Sequence, residues 1–199
     1  TFSGQCGDSL YWELVDTTLH ITGKGKMYDY KSNTIPWKLL VSSIKSLSGS
    51  EGTTSIGDNA FYGCSSLTSV TIPNSVTSIG EAAFAYCSAL TSIIIPNSVT
   101  SIGEYTFYNC YSLTSPVYNA HSFAYMPTSY SGAYTISEGI KQIAGGAFED
   151  CYLLTSVTIP ESVTSIGNSR SEERRVGKEG HASSRARWAA EHKIENDFA

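Results

Sequence analysis

Cysteine is the residue type whose spacing in this sequence first suggests chemistry. Four times an aromatic residue precedes a cysteine by three positions, in AFYGC, AFAYC, TFYNC and AFEDC, which end at Cys64, Cys87, Cys110 and Cys151. Recurrent thiols serve as zinc ligands, disulfide partners or nucleophiles. A zinc site requires closely spaced pairs such as C-x-x-C, which the sequence lacks, so no metal site is predicted. Disulfide bonds between these cysteines remain an alternative if the protein is extracellular. Because the four cysteines occupy equivalent repeat positions, however, no particular pair is favoured over another.

The elements that position these cysteines belong to a 23-residue repeat. LTSVTIPNSVTSIGEAAFAYCSA spans 67–89 and LTSIIIPNSVTSIGEYTFYNCYS spans 90–112. A degenerate copy covers 44–66, a copy that begins at Leu113 is interrupted, and a fifth begins at Leu154 and stops at Gly167. Self-similarity at a fixed period predicts a solenoid, in which each repeat buries its apolar side chains only against its neighbours.

Each repeat predicts two extended segments and a short helical turn. Leu67, Val70 and Ile72 have the spacing of a strand with one face inward, and the proline that follows cannot donate to a ladder. Phe84 and Cys87 lie three apart and share one face of the turn. Because a residue repeated at one position lies at the same place on every coil, we predict an internal column of cysteines that act as small hydrophobic side chains. The predicted core comprises Leu67, Val70, Ile72, Phe84, Cys87, Leu90, Ile93, Ile95, Phe107, Cys110, Phe148 and Cys151.

The pattern L-x-x-[VI]-x-I-P-x-S-V-T-S-I-G-x-x-x-F-x-x-C, in register over about 44–167, closely resembles the BspA-like leucine-rich-repeat family. The resemblance implies a leucine-rich-repeat solenoid, β-rich with short helical turns. It also implies secreted or cell-surface proteins, mostly bacterial, that adhere to host proteins or to other cells without enzyme activity. The segment 1–43, which contains SGQCGDSLYWELVDTTLHITGKGKMYDY, is similar to the β-rich leader that often precedes such arrays.

Three regions follow from this pattern. Residues 1–43 are predicted to form a β-rich cap with a β-hairpin around Leu10–Tyr28, and 44–169 to form the array of five repeats, the last one incomplete. The 18 extra residues between Cys110 and Cys151 predict an insertion at about 116–134. Strand-like residues at 123–126 and 133–136, joined by a turn-rich stretch, predict that this insertion is a projecting β-hairpin. Its tyrosines either form a contact surface or pack back on the solenoid.

The last thirty residues differ from the rest in composition. All five arginines lie in 170–199, and RSEERRVGKE at 170–179 resembles a translated sequencing adapter. We interpret 170–199 as a non-native charged tail, with an amphipathic capping helix as the alternative, and we assign it no function.

Composition and motifs argue against several function classes. A net charge of -5 does not favour nucleic acid, and no apolar run is long enough to span a membrane in this fragment. The sequence has no zinc-protease, serine-hydrolase or phosphate-loop motif, so we predict neither catalytic residues nor a cofactor. The acidic row Asp58, Glu81 and Glu104 is explained by the preference of helix starts for negative charge.

The outward positions of the repeated strands are the candidate ligand surface. In each strand the residue between the last two inward positions points outward, and hydroxyl side chains flank it. Ile94 is the apolar exception among them, and tyrosine is a favoured interface anchor. The candidate residues are Ser69, Thr71, Ser92, Ile94, Ser156 and Thr158, with Tyr125 and Tyr130 of the insertion. Three functions stay open: an adhesive module for a protein ligand on host or partner cells, a passive spacer, and a carbohydrate-binding module.

Overall fold

The computed structural model describes residues 2–167, and the predicted tail at 170–199 lies outside these residues. The described part contains short strands and a single-turn 3₁₀ helix at Lys38–Leu40. The strands are β1 (Phe2–Gln5), β2 (Leu10–Val15), β3 (Thr18–Gly23), β4 (Gly25–Lys26), β5 (Ser46–Gly49), β6 (Thr53–Ile56), β7 (Ser69–Thr71), β8 (Ser78–Ile79), β9 (Ser101–Ile102), β10 (Val117–Tyr118), β11 (Ser122–Tyr125), β12 (Gly132–Thr135), β13 (Gln142–Ile143), β14 (Leu154–Thr158) and β15 (Ser165–Ile166).

Parallel pairing between equivalent segments of successive coils builds the solenoid. β5 pairs with β7 with Leu47 opposite Val70, and β6, β8 and β9 pair with Ile56, Ile79 and Ile102 in line. Each of these steps is 23 residues, which confirms the predicted solenoid and its period. We call the side that carries β5, β7, β12 and β14 the strand face.

The N-terminal segment joins this solenoid directly. β2 and β3 form the predicted antiparallel hairpin, and β1 adds to its free side. β3 then pairs parallel with β5, so one five-stranded sheet runs from the leader into the array. Trp37 takes the place of a repeat phenylalanine and stacks on Phe61 with ring centroids 5.4 Å apart. The leader therefore continues the core instead of only covering its end.

The segment that contains the repeat phenylalanine is a chain of tight turns, where the sequence predicts a short helical turn. We call this segment the arc. Alternate backbone N–H groups bond to the next coil: Asn59 N donates to Glu81 O at 2.8 Å and Phe61 N to Ala83 O at 2.7 Å. The N–H groups between them bond within the arc, as in Tyr62 N to Asn59 O at 3.0 Å. Pairing between coils thus replaces the helical hydrogen bonds.

The core is a set of columns along the solenoid axis. Phe61, Phe84 and Phe107 stack face to face, with ring centroids 5.3 and 5.7 Å apart. Most residues of the predicted core are buried, but Val70, Ile93 and Phe148 are only partly buried at its edge. Two core clusters result, one from Cys6 to Ala144 and one from Phe123 to Val163.

The insertion contains a β-hairpin within the predicted range, but its strands are β10 and β11 instead of the predicted segments, and β11 is buried in the array instead of projecting from it. Residues 123–126 and 133–136 do not pair with each other, because β11 pairs parallel with β13 and β12 pairs parallel with β14. The antiparallel partner of β11 is β10, and all four residues of β11 are buried. Residues 113–130 therefore form a short coil within the array, and a full 23-residue coil begins at Ser131. Side-chain alternation in 123–126 fits a strand equally well in either arrangement, so the sequence did not distinguish them.

The short coil is bypassed at the start of the arc. Tyr105 N donates to Gly145 O at 2.8 Å, so the arcs of the coils before and after the short coil bond directly to each other. A Cβ on Gly146 would lie 2.6 Å from the Tyr105 ring, which makes glycine necessary there, and its φ of +73° also favours glycine. Further along the arc the short coil rejoins the stack, because Met126 N donates to Ala147 O at 2.8 Å and Met126 O accepts from Cys151 Sγ at 3.5 Å. The short coil therefore adds a layer beside β13, through β11, and only part of a layer in the arc.

Candidate interaction surface

The repeat cysteines are buried thiols that contribute hydrogen bonds between coils. Cys87 Sγ donates to Phe61 O at 3.3 Å, Cys110 Sγ to Phe84 O at 3.1 Å and Cys151 Sγ to Met126 O at 3.5 Å. Burial raises the pKa of the Cys64 and Cys110 thiols to about 12, opposed at Cys64 by the charge of Lys38. A protonated thiol is a poor nucleophile and metal ligand, so the column is suited to packing.

The row of acidic residues also has a structural role. Asp29 Oδ1 accepts a hydrogen bond from Asp58 N, and Asp58 Oδ1 accepts one from Glu81 N, both at 2.8 Å. Asp58 of the predicted row, like Asp29 before it, therefore satisfies a backbone donor of the following coil, and no helix start is involved. Among residues 2–167, no group of histidine, cysteine, aspartate and glutamate side chains could hold a metal ion.

The six strand positions of the candidate surface are all exposed on the strand face. Ser69 and Thr71 lie on β7, and Ser156 and Thr158 lie on β14. Ser92 lies in an extended segment without strand pairing, as does Ile94, whose side chain is 84% exposed. The predicted outward orientation of these side chains agrees with their exposure, and their contact with a ligand stays a prediction.

Four of these residues line one depression of about 420 Å³ between two coils. Ser69 and Thr71 form one wall, and Ser92 and Ile94 form the other. Val70 and Ile93, which are half-buried, also line it, and no charged side chain does. The depression combines apolar surface with hydroxyl groups. Ser156 and Thr158 do not line it and belong to the separate sheet of β12 and β14.

The two tyrosines predicted as anchors are not both accessible. Tyr125 is 4% exposed, its ring packs against Phe107, and its hydroxyl donates to Cys110 O at 3.4 Å. Tyr125 is therefore a core residue, and its assignment to the contact surface is wrong. Tyr130 is half-buried: its ring packs edge-on against Tyr134 at 5.6 Å, and its hydroxyl donates to Ala133 O at 2.8 Å.

The family model of the BspA-type leucine-rich-repeat region matches residues 40–123 and 119–170 in six copies. The chain belongs to the BspA-type leucine-rich-repeat family. No curated protein matches the sequence. No helix within residues 2–167 is both long enough and apolar enough to cross a membrane.

Solved structures from several bacteria are similar to this chain. A leucine-rich-repeat protein from Eubacterium ventriosum is 24% identical with a TM-score of 0.55, and the match covers 83% of this chain and 62% of that one. A leucine-rich-repeat protein from T. pallidum is 24% identical with a TM-score of 0.49, covering 82% and 86%. A leucine-rich cell surface protein from Faecalibacterium prausnitzii is 24% identical with a TM-score of 0.45, covering 81% and 72%. At this identity, the likeness to the E. ventriosum structure shows the fold alone.

Sequence reasoning missed a row of tyrosines on this BspA-type array. The ring of Tyr86 lies 5.1 Å from that of Tyr62 and 5.7 Å from that of Tyr108, and the Lys38 ammonium lies 5.8 Å from the Tyr62 ring centre. The signal was one tyrosine between the aromatic residue and the cysteine in three repeats. It was obscured because Tyr86 stands one position nearer its cysteine than the other two.

Proposed function

We propose that this chain is a non-enzymatic interaction module of a bacterial cell-surface or secreted protein. It binds a protein ligand on host or partner cells through the depression on the strand face. The observation that carries the proposal is Ile94, which is 84% exposed at the wall of that depression. The equivalent outward positions on β7 and β14 hold threonine, so this coil alone of the three presents an aliphatic side chain.

The chemistry of the depression supports a protein ligand. An exposed apolar side chain surrounded by hydroxyl groups has the composition of a small interface centre, with an apolar contact and a hydrogen-bonding rim. The uncharged lining imposes little desolvation cost on a partner. Surface location and adhesion are the properties that the family resemblance implies.

The absence of enzyme activity is part of the proposal. Leucine-rich-repeat families are generally binding scaffolds. The most regular nucleophiles of this chain, the column thiols, are buried, and their raised pKa keeps them protonated near neutral pH. The carboxylates of Asp29 and Asp58 accept hydrogen bonds from backbone groups of the following coil.

Replacement of Ile94 tests the proposed surface. We expect Ile94→Lys to weaken binding to immobilised extracellular-matrix proteins, or to the surface of partner bacteria, by at least about tenfold, which corresponds to about 1.4 kcal/mol. The matched control is Leu39→Lys, because Leu39 is 94% exposed on the 3₁₀ helix and does not line the depression. Circular dichroism and thermal melting of both variants should match the parent chain.

The two other functions are outcomes of the same measurement. Equal binding by the parent chain and Ile94→Lys places the ligand elsewhere. If the parent chain binds no protein but saturably binds a glycan on an array, the carbohydrate-binding function is favoured, with the Tyr62, Tyr86 and Tyr108 rings as the surface to mutate next. If neither class binds, the passive spacer is favoured.

A further inference from the structure

The backbone ladder of the strand face is interrupted beside β7. The sheet that begins at β1 ends at β7, although another coil follows it in the array. Residues 92–94, which should continue this sheet, have no strand pairing. Within residues 2–167, no backbone hydrogen bond joins 68–72 to 91–95. Two extended segments therefore flank the depression with unpaired backbone groups.

Side-chain and loop contacts show the same separation independently. At the preceding interface, Thr68 N donates to Lys45 O at 2.9 Å, but Thr91 makes no such bond to Thr68. Ser75 Oγ donates to Thr53 O at 2.6 Å, and Ser162 Oγ donates to Ile140 O at 2.8 Å. The equivalent Ser98 Oγ is buried and has no hydrogen-bond partner among the described residues. The two coils are thus separated along the whole strand and its corner.

The separation is local to the strand face. On the other sides, the same two coils stay joined: Ser78 pairs with Ser101 in the β8–β9 ladder, Phe84 N donates to Thr106 O at 2.9 Å, and Phe84 stacks on Phe107. The coils are therefore held together by the core and the arc while the strand edge stays open. An open edge with intact neighbours presents a fixed row of donors and acceptors to a ligand.

We propose that this opening is a β-augmentation site, in which an extended peptide segment of a partner protein pairs with the free edge beside Ser69–Thr71. The inference rests on the proposed function and deepens it, because it names the form of the ligand and its bonding. The partial charges of a strand edge alternate between N–H and C=O, and their complement is another extended backbone. No charged side chain lines the opening, so the backbone groups are its main polar feature.

The location of the free β7 edge between two coils favours a flexible linear peptide segment as the ligand. The free side of β7 faces residues 92–94 of the following coil across the depression, so the β7 of a second copy, which is flanked in the same way, cannot lie beside it. A flexible linker or chain end of a partner meets no such obstacle. Alternate side chains of a bound segment would lie against Val70 and Ile93, which are half-buried, and this favours aliphatic or β-branched residues at every second position.

The probe for this proposal is the acetylated, amidated hexapeptide LTSVTI. This sequence occurs at 67–72 and at 154–159, where the array itself uses it as a strand. Main-chain bonds supply most of the affinity in β-augmentation, so a strand-forming peptide tests the mode without knowledge of the natural partner. The matched control is the same hexapeptide with N-methyl groups at alternate residues, which removes backbone donors and keeps the side chains.

The readout is amide hydrogen exchange of the whole chain, resolved by NMR. We expect saturable binding of LTSVTI, with exchange slowed at least about tenfold at amides within 69–71 and 92–94, and loss of both effects with the N-methylated peptide. Equal binding of the two peptides, protection confined to other coils, or no change at millimolar peptide would overturn the proposal. The proposed function fails separately, through the adhesion measurement on Ile94→Lys.

Discussion

At the scale of single residues, buried polar groups of this protein hold neighbouring coils together. Asn119 is the clearest case, because it is 7% exposed and makes four hydrogen bonds. Its Nδ2 donates to Pro96 O at 3.0 Å and to Val99 O at 2.8 Å. Its Oδ1 accepts from His121 N and Ser122 N, both at 2.9 Å. One side chain therefore satisfies the corner of the short coil and the coil before it.

Replacement of Asn119 by alanine should destabilise the protein by about 3–5 kcal/mol, because several backbone groups lose their partner in a buried setting. The control is Asn97→Ala. Asn97 is exposed, and its Oδ1 accepts one bond from Ala120 N at 3.0 Å, so its loss should cost about 1 kcal/mol or less. Urea denaturation of both variants measures the difference. Equal losses of unfolding free energy in the two variants would show that water can replace the hydrogen bonds of the Asn119 side chain.

The buried thiols predict a stability that falls in alkali. The pKa of Cys64 is raised from 9.0 to about 12 in the folded chain, so the folded state holds this proton more tightly than the unfolded state. The stabilisation is complete below pH 9 and is lost between pH 9 and 12, at up to about 1.4 kcal/mol per pH unit for each such thiol. Cys64→Ala should reduce the slope of unfolding free energy against pH measured from pH 9 to 10. Ser65→Ala, an exposed neighbour, should leave the slope unchanged.

At the scale of elements, each arc depends on two residues with left-handed backbone four positions apart. They are Asn59 and Gly63 in one coil and Ala82 and Tyr86 in the next, with φ between 51° and 74°. Asparagine and glycine tolerate this region, whereas alanine and tyrosine are strained in it. The strain persists because the arc is bonded to both neighbouring coils, as at Ala82 N to Glu104 O at 2.9 Å.

Ala82→Asn should therefore stabilise the protein by about 0.5–1 kcal/mol, because asparagine adopts a φ of 51° at lower cost. Ala82 is half-buried, and the preceding coil already has asparagine at this position, so the side chain has room. Ala82→Val is the opposing control and should destabilise, since a β-branched residue is the least suited to positive φ. The midpoints of urea denaturation should move in opposite directions; a shift of both to lower urea would contradict the strain argument.

At the scale of the whole molecule, the array behaves as a stack in which every coil needs its neighbours. The described strands form four sheets. Two of them end at β7 and β9, before the short coil, and the other two begin at β10 and β12, in or after it. No strand pairing among the described residues therefore joins the coil at 90–112 to the short coil. Contacts across this boundary come instead from the core, from Asn119, and from the Tyr105–Gly145 bond. This boundary is where we expect cooperativity between the two halves to be weakest.

Phe84→Ala tests the coupling along the stack. Phe84 is fully buried between Phe61 and Phe107, and its loss should cost about 3–5 kcal/mol through the cavity left in the ring column. Amide exchange should rise most in the coils on either side of it and less beyond Ser131. Phe148→Ala is the comparison, because Phe148 is half-buried and packs on the second cluster, so its cost should be smaller. A melting temperature that hardly changes in Phe84→Ala would contradict the stacked-core account.

The sequence by itself determined the period, the inward columns and the outward side chains of the strands. The positions of Phe84 and Thr71 recur in similar surroundings on the full-length coils, so the local pattern fixes the side-chain orientation there. The tertiary structure alone decided which coils form hydrogen bonds with each other, which neighbouring strands stay unpaired, and where one coil is skipped. Tyr105 reaches Gly145 across the short coil, Tyr125 turns into the core, and β7 loses its expected neighbour. These outcomes depend on which distant segments meet. Strand alternation is satisfied equally by several pairings, and only the packing of the whole stack selects one of them.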